Sequence, residues 1–345
     1  MKRLLVHLCT FAAFLGLTFT VAHAQARPEP AAPRGNWFVA LEPMFVQTEP
    51  RTGGVVNLRF DDSRTAGMDM TLRGANTVES EAHAPRLTTG WRWNMPSGLS
   101  LGAQGRFFDL KNSTTGPARA VPGTVTLTNF ATTSETSDLT LYSGDFEAVA
   151  GYTRWGFTLE GTAGHRVARF EANGEVEAFG VFTSGNYVEL QFSNGSRFAG
   201  DGNVLGYTLA YRAKRWPVSG FVGRRTATLD GKSDSFGRAV GAVASSPAAP
   251  LVGAATVRRN GTTATDMIMG ETRYGVQADL GGSGTRFRSF ARLSYERIEW
   301  TLDGPPTGGA GFGGTINELT TNGFASAGLG GVKLDGWSLS LGVAF

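Results

Sequence analysis

The sequence predicts an all-β protein, a transmembrane antiparallel up-and-down barrel of about ten strands with long extracellular loops. Three observations predict it. Apolar and polar residues alternate with a period of two in segment after segment. The links between those segments are alternately short and long, as the periplasmic turns and outer loops of bacterial barrels are. Tryptophan and tyrosine gather near the segment ends, where interfacial girdles form.

The N-terminus is expected to direct export. Lys2 and Arg3 precede an apolar run from Leu4 to Val21, and Ala22, His23 and Ala24 form a small-residue cleavage site. Residues 1–24 therefore read as a Sec-type signal peptide cleaved after Ala24, placing the product in the cell outer membrane. Residues 25–35, with Pro28, Pro30 and Pro33, read as a periplasmic lead-in, and residues 36–345 as the barrel. The single cysteine, Cys9, lies in the apolar run. The mature chain is then expected to carry neither a disulfide nor a thiol nucleophile.

Once Lys2 and Arg3 leave with the signal, 30 basic residues face 29 acids, counted from 32 and 29 in the full chain. So even a balance gives no electrostatic reason for a nucleic-acid partner. Glycine is abundant, at 48 residues, and recurs inside nearly every candidate segment. Apolar residues at helical spacing with capping signals are not found.

The strands follow in order. Trp37, Val39, Leu41 and Phe45 alternate with Asn36, Ala40 and Glu42. Leu87, Trp91 and Trp93 alternate with Arg86, Thr88, Gly90 and Arg92, and Leu99, Leu101, Ala103 and Phe107 with Ser100, Gly102, Gln104 and Arg106. Less regular strands cover 138–153, 156–172 and 217–229. Leu205, Tyr207, Leu209 and Tyr211 share a face, as do Tyr274, Val276, Ala278 and Leu280, and then Phe287, Ala291, Leu293 and Tyr295. The last strand sets Trp337, Leu339, Leu341, Val343 and Phe345 against Ser338, Ser340, Gly342 and Ala344. A closing aromatic residue after such a strand resembles the signal read by the barrel-assembly machinery. Short links fall at 94–98, 153–156, 212–217 and 281–284, and long loops at 49–84, 111–137, 173–197, 230–266 and 301–322. Ten strands result; twelve would if Glu175–Phe182 and Tyr187–Phe192 made a full hairpin. The expected girdle residues are Trp37, Trp91, Trp93, Tyr152, Trp155, Tyr211, Trp216, Trp300 and Trp337.

The face opposite the apolar one is charged. It carries Arg86, Arg92, Arg106, Arg166, Arg273, Arg286, Arg288 and Arg292 with Asp145, Glu147, Glu160, Glu271, Asp279 and Glu296. A charge turned to lipid costs about 2–4 kcal/mol near the midplane, so these residues are expected to line the lumen. Two functions fit. The charges could line a porin-like channel for small hydrophilic solutes or ions. They could instead pair and close the lumen of a structural or adhesive surface barrel. Catalysis is not expected, because the only histidines past the signal, His83 and His165, have no nucleophile set around them. The glycine-rich stretch 304–314 lacks the Gly-Lys-Ser/Thr of a phosphate loop. Asp61, Asp62 and Asp69 read as solvated loop acids rather than metal ligands. No metal or cofactor is expected; the expected partners are outer-membrane lipid, the assembly machinery and small solutes.

Several of these strands resemble the Legionella-type major outer-membrane protein family of pore-forming barrels. The likeness rests on Gly90-Trp91-Arg92-Trp93 with Gly98-Leu99-Ser100-Leu101, on Asp145-Phe146-Glu147 before Gly151-Tyr152, and on Gly164-His165-Arg166-Val167-Ala168. Ala291-Arg292-Leu293 with Glu296 and Trp300, and the terminal Gly342-Val343-Ala344-Phe345, extend it. The resemblance implies a surface porin or structural barrel with no catalytic residue to carry over.

Overall fold

The computed structural model describes residues 34–51, 55–62, 65–73, 80–116, 120–121, 129–181, 187–213, 217–244, 252–280, 288–303, 308–316, 319–327 and 330–345. The expected signal peptide, most of the lead-in, Trp216, Arg286 and Phe287 lie outside the described residues. In chain order the strands are β1 (Arg34–Arg51), β2 (Val55–Asp62), β3 (Thr65–Arg73), β4 (Ser80–Asn94) and β5 (Leu99–Gly116). They continue with β6 (Ala120–Val121), β7 (Asn129–Arg154), β8 (Phe157–Val181), β9 (Tyr187–Arg212) and β10 (Val218–Ala244). The last five are β11 (Val252–Asp279), β12 (Arg288–Asp303), β13 (Gly308–Ile316), β14 (Leu319–Ala327) and β15 (Gly331–Ala344).

Ten of them close an antiparallel barrel in the order β1-β15-β12-β11-β10-β9-β8-β7-β5-β4. The first and last barrel strands seal the cylinder. Trp37 donates its backbone N–H to the Phe345 carbonyl at 3.0 Å and Phe345 donates back at 2.9 Å. Every backbone polar group in lipid must find a partner, and closure supplies one. The start of β1 and the end of β15 thus share the end that carries the short turns, which in such barrels is the periplasmic end. The β7–β8 turn shows how tight that end is. Trp155 (φ 55°) and Gly156 (φ 89°) alone link paired Arg154 and Phe157, and positive φ at both positions is what a type I′ hairpin needs.

Side-chain direction divides every barrel strand into two zones. Near the periplasmic end the outer face is apolar, as with Trp37, Leu41 and Phe45 on β1, Leu205, Tyr207 and Leu209 on β9, and Leu341 and Val343 on β15. From Trp37 to Phe45 is eight residues, which at about 3.3 Å per residue and a tilt near 40° spans about 20 Å, close to the ~25 Å apolar band of outer-membrane barrels. Beyond that height the pattern changes phase. Charged residues such as Asp109, Arg169 and Arg297 take the outer face, while Leu110, Phe170 and Ile298 turn inward and are buried. Aromatic residues mark both edges. Trp37, Tyr152, Trp155 and Tyr211 lie at the periplasmic edge. A cross-strand row at the outer edge runs His83–Phe45 (5.1 Å), then Trp337–Tyr295 (5.4 Å) and Tyr295–Tyr274 (5.5 Å). Trp300 is a correction: instead of joining a girdle it points inward and is fully buried, since it lies above the phase change.

The strands are unequal. β7 to β11 have 25 to 28 residues, against 14 to 18 for the other five. At the same rise and tilt the longer set reaches about 70 Å and the shorter about 40 Å, so one side of the barrel stands well above the membrane. This corrects the loops expected at 173–197 and 230–266. Their ends are strand, with Glu175 paired to Ser193 and Gly237 to Arg259. The alternative of twelve strands, with a hairpin of Glu175–Phe182 and Tyr187–Phe192, falls with it, because Glu175–Val181 and Tyr187–Phe192 prolong β8 and β9. The lead-in also ends earlier than expected, because β1 begins at Arg34.

Segments expected as loops at 49–84 and 301–322 supply most of a separate five-stranded sheet, β13-β14-β2-β3-β6. Its register sets Val56 opposite Leu72, Leu58 opposite Met70 and Phe60 opposite Met68. Asp61, Asp62 and Asp69 lie in β2 and β3 rather than in a loop, and most of the glycine-rich stretch is β13. β13 and β14 lie against the long strands β10 and β11.

Candidate functional site

The inward faces of the membrane-level strands carry the charges, and the barrel brings them together from many strands. Arg86 of β4 donates to Glu42 of β1 at 3.0 Å and to Glu296 of β12 at 2.7 Å. Ser338 Oγ donates to the other oxygen of Glu296 at 2.8 Å. Beside this cluster lies a larger one. Arg166 of β8 grips Asp145 of β7 with Nε and Nη2 at 2.6 and 2.7 Å, and Nη2 also reaches Glu271 of β11 at 2.6 Å. Arg106 joins Glu271 at 3.3 Å. Arg225 of β10 contacts Asp145 (2.8 Å), Glu271 (3.2 Å) and Glu147, which also accepts from Gln104 at 2.6 Å. Four arginines thus meet five carboxylates. Such groups are tolerated in a dry interior only when their donors and acceptors are largely matched, and here each of these arginines holds at least one of the acids.

The layer above the charges is apolar. Met44, Phe108, Leu110, Leu141, Phe170, Phe198, Leu229, Met267, Ile298, Trp300 and Leu334 pack into one buried cluster across the barrel. Between the ionic and apolar layers the remaining void, bounded by Arg86, Arg166, Phe108 and Trp300, is about 10 Å³. That is at the lower limit for a single water. From the ionic layer up through the apolar one, the described side chains leave little room.

Below the charges, toward the periplasm, a chamber of about 130 Å³ remains. Arg92, Glu160, Arg273 and Arg292 line it together with Phe38, Phe290 and Thr162. Arg92 Nη2 donates to Gln104 at 2.9 Å and lies 3.4 Å from Glu160. Arg292 donates to Gln277 at 2.7 and 3.2 Å. Arg273 stacks 5.8 Å from the Phe221 ring, Arg292 4.9 Å from the same ring and Arg92 5.1 Å from Phe38.

The expected lumen residues therefore divide into two sets. Arg86, Arg106, Asp145, Glu147, Arg166, Glu271 and Glu296 build the ionic layer, and Arg92, Glu160, Arg273 and Arg292 surround the chamber. Arg288 is a correction: its parity is inward, but it begins β12 at the periplasmic mouth and is exposed. Asp279 is also at the rim, paired with Arg212 at 2.8 Å. Sequence reading missed the roles of Glu42 and Arg225. Glu42 was visible by parity with Ala40. Arg225 was masked by its neighbour Arg224, and only the exposed Val222 two residues before Arg224 identifies 225 as the inward member. His83 and His165 both lie on the outer face; His165 Nε2 is 3.2 Å from Asp201. Trp337, Leu339, Leu341, Val343 and Phe345 all lie on the outward side of β15 and its end.

No family model and no curated protein matches the chain. Solved structures do resemble it. The outer membrane protease OmpT from Escherichia coli is 12% identical over 90% of this chain and 96% of that one, with a TM-score of 0.33. A Pseudomonas aeruginosa FadL homologue is 6% identical over 90% of each chain, with a TM-score of 0.29. The outer membrane protein OprG from Pseudomonas aeruginosa is 8% identical over 90% of this chain and 98% of that one, with a TM-score of 0.27. At these scores the architecture rests on the strand pairing of the chain itself. It is a membrane-type β-barrel.

Proposed function

We propose that this chain is an outer-membrane protein whose lumen is closed, and that it displays its long strands and second sheet at the cell surface in a structural or adhesive role. The stacking of an apolar layer directly on the ionic layer, with about 10 Å³ between them, carries the reading. A hydrated solute crossing that level would have to break paired charges and then enter a dry apolar zone. Cleavage after Ala24, outer-membrane insertion through the assembly machinery and kinship with the Legionella-type family belong to the same proposal. It assigns no catalytic residue.

The other reading, a passive channel for small hydrophilic solutes, needs a water path across these two layers. Planar bilayers containing the refolded protein decide between them. The closed barrel is expected to give no steps above baseline across a range of applied voltage and salt. Reproducible, stepwise ion conductance from the wild type would overturn it and favour the channel.

A further inference from the structure

The periplasm-facing chamber is more basic than its closure requires. Among the described residues, Arg92, Arg273 and Arg292 border it below the ionic layer with one carboxylate, Glu160, while Glu42, Arg106 and Arg225 of that layer form its upper edge. The ionic layer has one carboxylate more than its arginines can neutralise, so it offsets part of this surplus, and seven lumen arginines still face six carboxylates. Among the described residues, two of the chamber arginines make no hydrogen bond to a carboxylate. Arg292 is held by the neutral Gln277, and Arg273 lies against the face of Phe221, with Glu42 and Glu296 acting on it only through longer-range attraction. Guanidinium groups packed on aromatic faces keep their in-plane donors free for another acceptor. Three buried polar atoms around the same space have no protein partner: Arg92 Nη1, Thr162 Oγ1 and Arg225 Nε. Buried donors of this kind are rarely left unsatisfied.

We propose that this chamber binds a small oxyanion, such as phosphate, sulfate or a short carboxylate, drawn from the periplasm. A cavity of about 130 Å³ accepts one such ion or a few waters. The planar forks of Arg92, Arg273 and Arg292 suit oxygen acceptors arranged around one centre, and Thr162 adds a hydroxyl donor. The site does not depend on the lumen being closed, since it lies below the layers that close it. Conductance therefore tests the closure, and equilibrium binding tests this site.

Titration calorimetry of the refolded protein with inorganic phosphate, sulfate and acetate, with chloride as the reference ion, measures it directly. Saturable binding of at least one oxyanion is expected, with chloride giving none in the same range. Arg273→Gln removes a charge that no described carboxylate holds by a hydrogen bond, and it should weaken binding roughly tenfold or more while leaving heat-modifiable gel migration unchanged. Thr162→Val, which removes one hydroxyl and no charge, should weaken it several-fold and serves alone if Arg273→Gln does not refold. Absence of saturable binding by all three ions, chloride binding as well as they do, or unaltered affinity in the folded variants would overturn the proposal.

Discussion

Arg166 shows what the interior asks of a single residue. Its side chain is 1% exposed and holds two carboxylates, Asp145 and Glu271, from strands on either side of the lumen. Replacing it by methionine leaves both acids buried beside fewer donors. Removing one partner of a buried pair typically costs about 3–5 kcal/mol, so Arg166→Met is expected to unfold at markedly lower denaturant concentration or temperature. Arg197 pairs with Glu171 at a similar distance, 3.0 Å, but its side chain is 64% exposed. Water screens that pair, and Arg197→Ala should change stability by less than about 1 kcal/mol. Equal losses in the two variants, measured by the same unfolding assay, would contradict this account of the lumen. That Arg166 faced the lumen was legible from the alternation of β8. Asp145 lies opposite it across the tight β7–β8 turn, but Glu271 was not legible, because register across the three links from β8 to β11 decides which acid arrives beside it.

At the scale of the element, the change of phase within each strand explains what the sequence hid. Period-two reading finds a strand while the apolar residues stay on one face. On β12 that face runs through Ala291, Leu293 and Tyr295, but the apolar set then shifts to Ile298, Trp300 and Leu302. The strand continues while its hydropathy pattern inverts, so a search for one apolar face stops early and labels the remainder a loop. The same inversion led Trp300 to be placed with the girdles. The closing strand was legible to its last residue because it lies wholly in the lipid phase from Trp337 onward. Its end makes the reciprocal backbone pair with Trp37 that completes the cylinder. Deleting Phe345 removes that pair and one outward ring, and is expected to lower the amount of folded protein in outer-membrane fractions severalfold. Wild-type levels with normal heat-modifiable migration in the deletion strain would show that closure does not need it.

For the whole molecule, the number of barrel strands, the shared side on which the first begins and the last ends, and the charged interior could all be read from sequence. The uneven height and the second sheet could not. Both depend on long-range pairing, such as Phe60 with Met68 and Thr321, that no local pattern announces. The height makes a topological prediction. β10 and β11 are the two longest strands, so their outer ends, Ala244 and Val252, stand furthest from the membrane. An epitope inserted there should be labelled on intact cells. Labelling that appears only after the outer membrane is permeabilised would reverse the orientation of the barrel.

The ring of outward charges that begins where the lipid face ends also fixes how deep the protein can sit. Sinking by one pair of residues would push Glu49, Asp109, Arg297 and Asp335 toward hydrocarbon, while rising would draw Trp37, Tyr152 and Tyr211 out of the lower interface. The barrel behaves as a gauge with stops at both ends, set to a thin bilayer. Mismatch costs fractions of a kcal/mol per ångström, and ten strands meet it together. Refolding into vesicles should therefore be most efficient with short acyl chains and decline as the chains lengthen, because a thicker membrane has to be squeezed to fit a protein that cannot slide.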